Sequence, residues 1–413
     1  MVRRARWFEL GLLVGGVLLA ALIAWSTPGS GDYLPGGPVG GDSNGAPAIA
    51  GLAHGHFGAY LNNQPFMGLV SLLLRVPAVR IAQAFPSHRL LEYRLGVLLC
   101  LTALPVLAVW LSRQASQREW KAMCALVGVL LIGAPVTVDA IHAGHPEEVL
   151  TAVLGVAGVI AAQRGRELWS GALLGLAIGT KPWAVLVAVP VFLALPAGRW
   201  KAASAAGAVG GLALIGAMLD PSAFLARSRD LGSMHLVNPY SLWWQLGSNM
   251  PHSLVPSRLL PLGLTRSSAL ILALGAVTLA ASAWGVSRGS LRPPHPLALL
   301  AALWLARVLA DPHPNYYYYV PFVIALAVWE VYSLRRVPLL AVLGVALLRV
   351  TYELPFHQPG WPNTFLLVWT LLFGTYLVGR AFGQRGGRPA FVHLTTRYFN
   401  WLIREVDLRI EDA

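Results

Sequence analysis

Charge is what this sequence has least of. Only 12% of its 413 residues are Asp, Glu, Lys or Arg, against 56% hydrophobic ones. So small a charged fraction excludes a soluble globular domain and a disordered chain. Cysteine is scarcer still: Cys100 and Cys124, both within apolar runs, exclude a thiolate metal site and a disulfide framework. Acids are outnumbered, 18 against 31 basic residues, and three of the latter are lysines, Lys121, Lys181 and Lys201. The resulting net charge of +13 does not indicate nucleic acid. Most basic residues fall in short links between apolar segments, where they act as topology signals. There is no internal repeat. No H-E-x-x-H is present, and His145-Pro146-Glu147 lacks the paired cysteines that complete a zinc-deaminase signature.

What the chain does have is apolar length. A hydrocarbon core about 30 Å thick needs about 20 apolar residues per helix. Such runs recur near 7–26, 90–112, 122–140, 147–163, 169–180, 182–196, 202–219, 267–286, 294–310, 317–334, 337–352 and 363–382. The first follows MVRRAR and reads as an uncleaved helix, since no small-residue cleavage site follows it. The stretch from Trp169 to Pro196 reads either as one tilted helix or as two short ones meeting at Gly179-Thr-Lys-Pro182. Arg and Lys clusters on alternate links make the ends of the chain cytoplasmic by the positive-inside rule. Residues 1–382 are then a membrane-embedded domain and 383–413 a cytoplasmic amphipathic tail. The fold class expected is an all-α polytopic membrane protein of about twelve helical segments, with long first and fourth outer loops.

The outer face holds most of the chemistry, and two of its loops are long. The first, from about Thr27 to His88, is Gly- and Pro-rich and continues into a run carrying Arg75 and Arg80 that suits an interfacial helix. The other runs from Asp220 to Arg266. Nine of the eleven histidines fall on outer loops or outer helix ends; His295 and His393 do not. Long loops collect polar residues in any case, so each cluster has an ordinary alternative.

Asp42 sits in Gly40-Gly41-Asp42-Ser43-Asn44, where glycines let the backbone bring a carboxylate to a substrate. It also suits a plain turn, and Asp32 is its equal on composition. His142-Ala-Gly-His145-Pro146-Glu147-Glu148 opens the fourth run. Acids in a helix's first turn are favourable there for electrostatic reasons alone. His142, His145 and Glu148 could reach one metal ion, but no metal and no cofactor is expected. Lys181, in Thr180-Lys181-Pro182-Trp183 between two apolar stretches, needs a partner or a cavity, or snorkels to the surface. Asp311, His313 and Asn315 precede four tyrosines that suit an interfacial belt. Tyr240, Trp243 and Trp244 lie in the fourth outer loop, where they can meet a lipid or a sugar face.

GHPEEVL, GLAIGTKPW and DPHPNYYYY, with a long acid-bearing first outer loop, resemble the C-type glycosyltransferases. They are closest to bacterial polyprenyl-phosphate-mannose-dependent α-mannosyltransferases, over most of residues 7–380. The resemblance implies a multi-pass enzyme of the cytoplasmic membrane whose outer face moves a mannose-like sugar from a polyprenyl phosphate to a lipid or cell-envelope glycan. Nucleic acid is not a partner. Asp42 best matches the family's acid and would be the base, although the Asp-Leu-x-x-Tyr context of relatives is missing. Lys181 would meet the donor phosphate. His145, Glu147, Glu148, Asp311, His313 and Asn315 would line the phosphate and sugar, and Tyr240, Trp243 and Trp244 the acceptor or lipid. The other classes compatible with the sequence are a secondary transporter, for which only one broken helix is visible, and a non-catalytic envelope scaffold.

Overall fold

Where water is absent, every backbone group has to be bonded within the protein, and a helix achieves this inside one segment. Each apolar run among the described residues accordingly forms helix. The computed structural model describes residues 2–27, 45–64, 68–85, 90–114, 118–232, 235–249, 258–261, 264–267, 295–353 and 360–382. Asp32, Asp42, the run expected near 267–286 and the tail 383–413 lie outside the described residues.

The first run is α1 (Val2–Ser26). The stretch read as a long loop contains α2 (Gly45–Ala53), α3 (Phe57–Asn63) and α4 (Leu69–Gln83). The second run is α5 (Leu91–Leu101) and α6 (Ala103–Gln114), interrupted at Thr102 because Pro105 has no N–H for the Leu101 carbonyl. The third is α7 (Arg118–Gly133) and α8 (Pro135–His142), bent by 41°. Here Pro135 holds Ala134 in an extended conformation.

Helices α9 (Glu147–Gln163) and α10 (Glu167–Thr180) match their predicted runs closely. A 3₁₀ turn over Pro182–Val187 then leads into α11 (Ala188–Ala194), followed by α12 (Arg199–Ala213), α13 (Ile215–Leu219) and α14 (Pro221–Gly232). Glycines decide how these pack. A Cβ on Gly171 would lie 2.2 Å from the Ala202 carbonyl oxygen, one on Gly175 2.8 Å from that of Ala206, and one on Gly179 2.3 Å from the Ala213 Cβ. The partner numbers rise together, so α10 and α12 run parallel with backbones in contact. The segment between them must therefore return across the bundle. This settles the Trp169–Pro196 alternative in favour of two segments, which part at Lys181.

The region from Asp220 to Arg266 contains the only strands among the described residues. β1 (Leu236–Val237), β2 (Ser248–Asn249) and β3 (Arg258–Leu259) pair antiparallel in the order β1-β3-β2. The sequence reading has no strand there, because two-residue pairings carry no periodicity. Helices α15 (Pro296–Ala310), α16 (Val320–Val328), α17 (Leu339–Glu353) and α18 (Gly360–Ala381) complete the bundle. Trp304 of α15 packs over Gly155 of α9, where a Cβ would sit 2.9 Å from its ring.

The protein is thus nearly all-α, as expected. Among the described residues three helical stretches are long and apolar enough to cross a membrane, Trp7–Ser26, Leu91–Gln114 and Trp361–Ala381, with the bent α7–α8 pair a fourth. The expected count of about twelve rests on the run pattern and not on length. Helices α9, α10, α15 and α17 have 14 to 17 residues, which at 1.5 Å each is about 21–26 Å. The interfacial reading of the stretch before Phe85 also needs correction. Helix α4 is docked into the bundle: Gly68 N–H donates to the Thr180 carbonyl at 2.8 Å, and Arg75 is buried while Arg80 is exposed.

Candidate active site

The start of α9, the ends of α10 and α15, and one face of α4 meet at one end of the bundle. Each arrives through a local chain feature. Helix α8 ends at Ala143-Gly144, where Gly144 takes φ +89° and lets His145 N–H bond back to the Ala140 carbonyl at 2.7 Å. Pro146 then caps α9, placing Glu147 and Glu148 in its first turn. Helix α10 stops because Pro182 forces Lys181 into an extended conformation (φ −146°, ψ 125°).

Glu147 is the hub. Its Oε2 accepts from Arg75 Nη2 at 2.6 Å, and its Oε1 lies 3.0 Å from Lys181 Nζ and 3.0 Å from His145 Nδ1. A carboxylate offers only acceptors, so His145 carries its proton on Nδ1. The ring is held flat by Tyr317, stacked at 4.5 Å. Arg75 reaches Glu147 by running across Gly96 of α5, where a Cβ would sit 3.3 Å from its side chain. Glu148, one residue on, is equally buried yet lies 3.8 Å from Lys181 Nζ. Neither of its oxygens accepts a hydrogen bond from the described residues.

A second group adjoins the first. Asp311 takes a two-pronged pair from Arg266, at 2.8 Å from Nε and 2.7 Å from Nη2, and accepts the His313 N–H at 3.0 Å. Burial would raise the Asp311 carboxyl, but the Arg266 charge and its hydrogen bonds prevail and hold it below the usual carboxylate range. Burial, with the Arg266 charge, pushes His313 below its ordinary value, so its ring is neutral at pH 7. Asn315 is more weakly engaged, with its Nδ2 3.5 Å from the Tyr317 hydroxyl. Arg307, in the last turn of α15, bridges the two groups. Its guanidinium lies over Trp183 (4.7 Å) and Tyr318 (4.3 Å), within electrostatic range of both Glu148 and Asp311.

The aromatic residues of the Asp220–Arg266 region pack inward. Tyr240 stacks on Tyr352 at 4.0 Å, Trp243 Nε1 donates to the Ala310 carbonyl at 2.8 Å, and Arg258 covers Trp244 at 4.5 Å. Asn363 of α18 donates to the carbonyls of Pro239 and Ser241, while Asn238 donates to those of Pro312 and Pro314. The loop with Tyr240, Trp243 and Trp244 is therefore fastened to the loop with Asp311, His313 and Asn315.

The described structure thus joins His145, Glu147, Glu148 and Lys181 directly, with Asp311, His313 and Asn315 beside them. Sequence reading missed Arg75, Arg266 and Arg307. For Arg307 the signal was present, an ionisable residue inside an apolar run, but it was applied only to Lys181. Among the described residues no three His, Cys, Asp or Glu side chains are placed to hold a metal ion; His142, the outlying member of the trio considered above, is exposed.

A buried acid–base cluster at one end of a bundle of apolar helices suits group transfer at a membrane surface, and comparison identifies the class. A family model, that of glycosyltransferase family 87, matches residues 60–312. The chain belongs to glycosyltransferase family 87. No curated protein and no solved structure matches it. The family assignment agrees with the C-type glycosyltransferase resemblance and makes this a transferase, which favours the enzyme reading over the transporter and scaffold readings. In this family-87 glycosyltransferase the matched region takes in Arg75, the Glu147 cluster, Arg266, Arg307 and Asp311. It ends one residue before His313 and begins after Asp42.

Proposed function

We propose that the protein transfers a mannose-like sugar from a polyprenyl-phosphate donor to a lipid or cell-envelope glycan acceptor, at the outer face of the cytoplasmic membrane. The observation that carries this reading is the buried charge cluster of Arg75, Lys181, Arg307, Glu147 and Glu148 at one end of an apolar bundle, in a chain of a glycosyltransferase family. A lipid-linked donor keeps its tail among apolar helices and brings its phosphate and sugar to that end.

The chemistry asks little of the protein. The acceptor hydroxyl gives its proton to Asp42 as its oxygen bonds to the sugar's anomeric carbon. The bond from that carbon to the phosphate oxygen breaks, and polyprenyl phosphate leaves with the electron pair, so the sugar inverts. Phosphate needs no protein acid to leave, only cations to receive its charge. Lys181 stands at the phosphate, its charge shared with Glu147. His145, Glu147, Glu148, Asp311, His313 and Asn315 line the phosphate and sugar. Tyr240, Trp243 and Trp244 frame the acceptor side through the fastened loops.

The base is tested by Asp42→Asn, which keeps shape and removes basicity. A positioned base contributes about 10²- to 10⁴-fold, so transfer should slow by that factor with donor binding intact. Asp32→Asn should do much less. An inactive Asp32 variant beside an active Asp42 variant would show that the other acid is the base. Normal transfer by both would remove this loop from the chemistry.

A further inference from the structure

We infer that Arg307 grips the donor's phosphate beside Lys181, an inference that rests on the donor class proposed above. It is buried, 7% exposed, and its Nε and Nη1 have no hydrogen-bond partner among the described residues. A buried cation with unmet donors is costly, and chains keep one where a ligand completes it.

Its neighbours fit that role. Trp183 and Tyr318 lie against the guanidinium at 4.7 and 4.3 Å and fix its plane. Glu148 and Asp311 are near enough to compensate its charge, yet neither forms an ion pair with it. Asp311 is taken by Arg266, and the Glu148 carboxylate faces Lys181 at 3.8 Å. Arg75 and Lys181, the other cations of the cluster, share their charge with Glu147. Arg307 therefore offers a planar guanidinium with uncommitted donors, the chemistry that matches phosphate oxygens. Glu148, whose two oxygens accept no hydrogen bond from the described residues, is placed to receive hydroxyls of the attached sugar.

The test uses the full chain in nanodiscs and two probes that differ only in the headgroup, decaprenyl phosphate and decaprenol. A charge-assisted contact of this kind corresponds to about 10- to 100-fold in affinity, so the unaltered protein should prefer the phosphate by at least that ratio. Arg307→Gln should cut the preference by about that ratio while leaving decaprenol binding unchanged. Arg307→Lys keeps the charge without the fork and should retain part of it. A folded Arg307→Gln protein with its preference intact would overturn the assignment of Arg307 and leave the donor class standing. No preference in the unaltered protein would overturn the donor class, and Arg307's role with it. Should Arg307→Gln fail to fold, an undiminished preference in Arg307→Lys would count against the inference.

Discussion

Glu147 and Glu148 are adjacent, equally buried and of the same chemistry, yet their circumstances differ. Glu147 pairs with both Arg75 and Lys181, so removing its charge breaks two buried ion pairs at once. Breaking such a pair costs about 3–5 kcal/mol. Glu147→Gln should therefore lower the thermal midpoint of the purified protein sharply, as read by tryptophan fluorescence in detergent. Glu148 accepts no hydrogen bond from the described residues. Glu148→Gln should leave the midpoint nearly unchanged and lower kcat/KM for the donor. Equal midpoints in the two variants would contradict the division of roles. At this scale the sequence was legible where a charged residue stood at the end of an apolar run, as with His145, Glu147 and Lys181. Arg75 was not, because its burial depends on a partner 72 residues away and on the space over Gly96. Taken alone, an arginine in an amphipathic run reads equally well as an interface residue.

Helices α10 and α12 carry the site by their closeness. Gly171, Gly175 and Gly179 recur every fourth residue and form a seam that lets backbones touch, the small-residue packing used between membrane helices. That seam fixes the end of α10, and with it Lys181, against Gly68 at the start of α4. A methyl group on Gly171 would meet the Ala202 backbone, which cannot yield as a flexible side chain would. Gly171→Ala should therefore destabilise the protein by about 1–3 kcal/mol, the usual scale of overpacking. Gly207→Ala, at an exposed helical site with nothing within 4 Å, should be neutral or slightly stabilising. Thermal midpoints that fail to separate the two would contradict the seam. Helix existence was legible from apolar length, whereas the break at Lys181 was one of two readings that the sequence left open. Helices α2 and α3 and the three short strands were not, because tertiary docking and not periodicity makes them.

The molecule as a whole is polarised. One end carries the Glu147 cluster and the fastened loops. The opposite end of the helices carries Arg164, which binds the Tyr332 hydroxyl, and Glu330, which accepts from Arg336 and from the backbone at the start of α17. This matches the alternation of basic links read from the sequence, which needed no tertiary information. The family assignment makes the protein a glycosyltransferase, and the function proposed for it has the sugar arrive on a lipid phosphate. The most direct measurement presents the full chain in nanodiscs with radiolabelled mannose on either decaprenyl phosphate or guanosine diphosphate, together with membrane lipids as acceptor. The account predicts transfer of label to acceptor from decaprenyl phosphate alone, lost in Asp42→Asn. Transfer from the nucleotide-linked sugar and not from the lipid-linked one would contradict it.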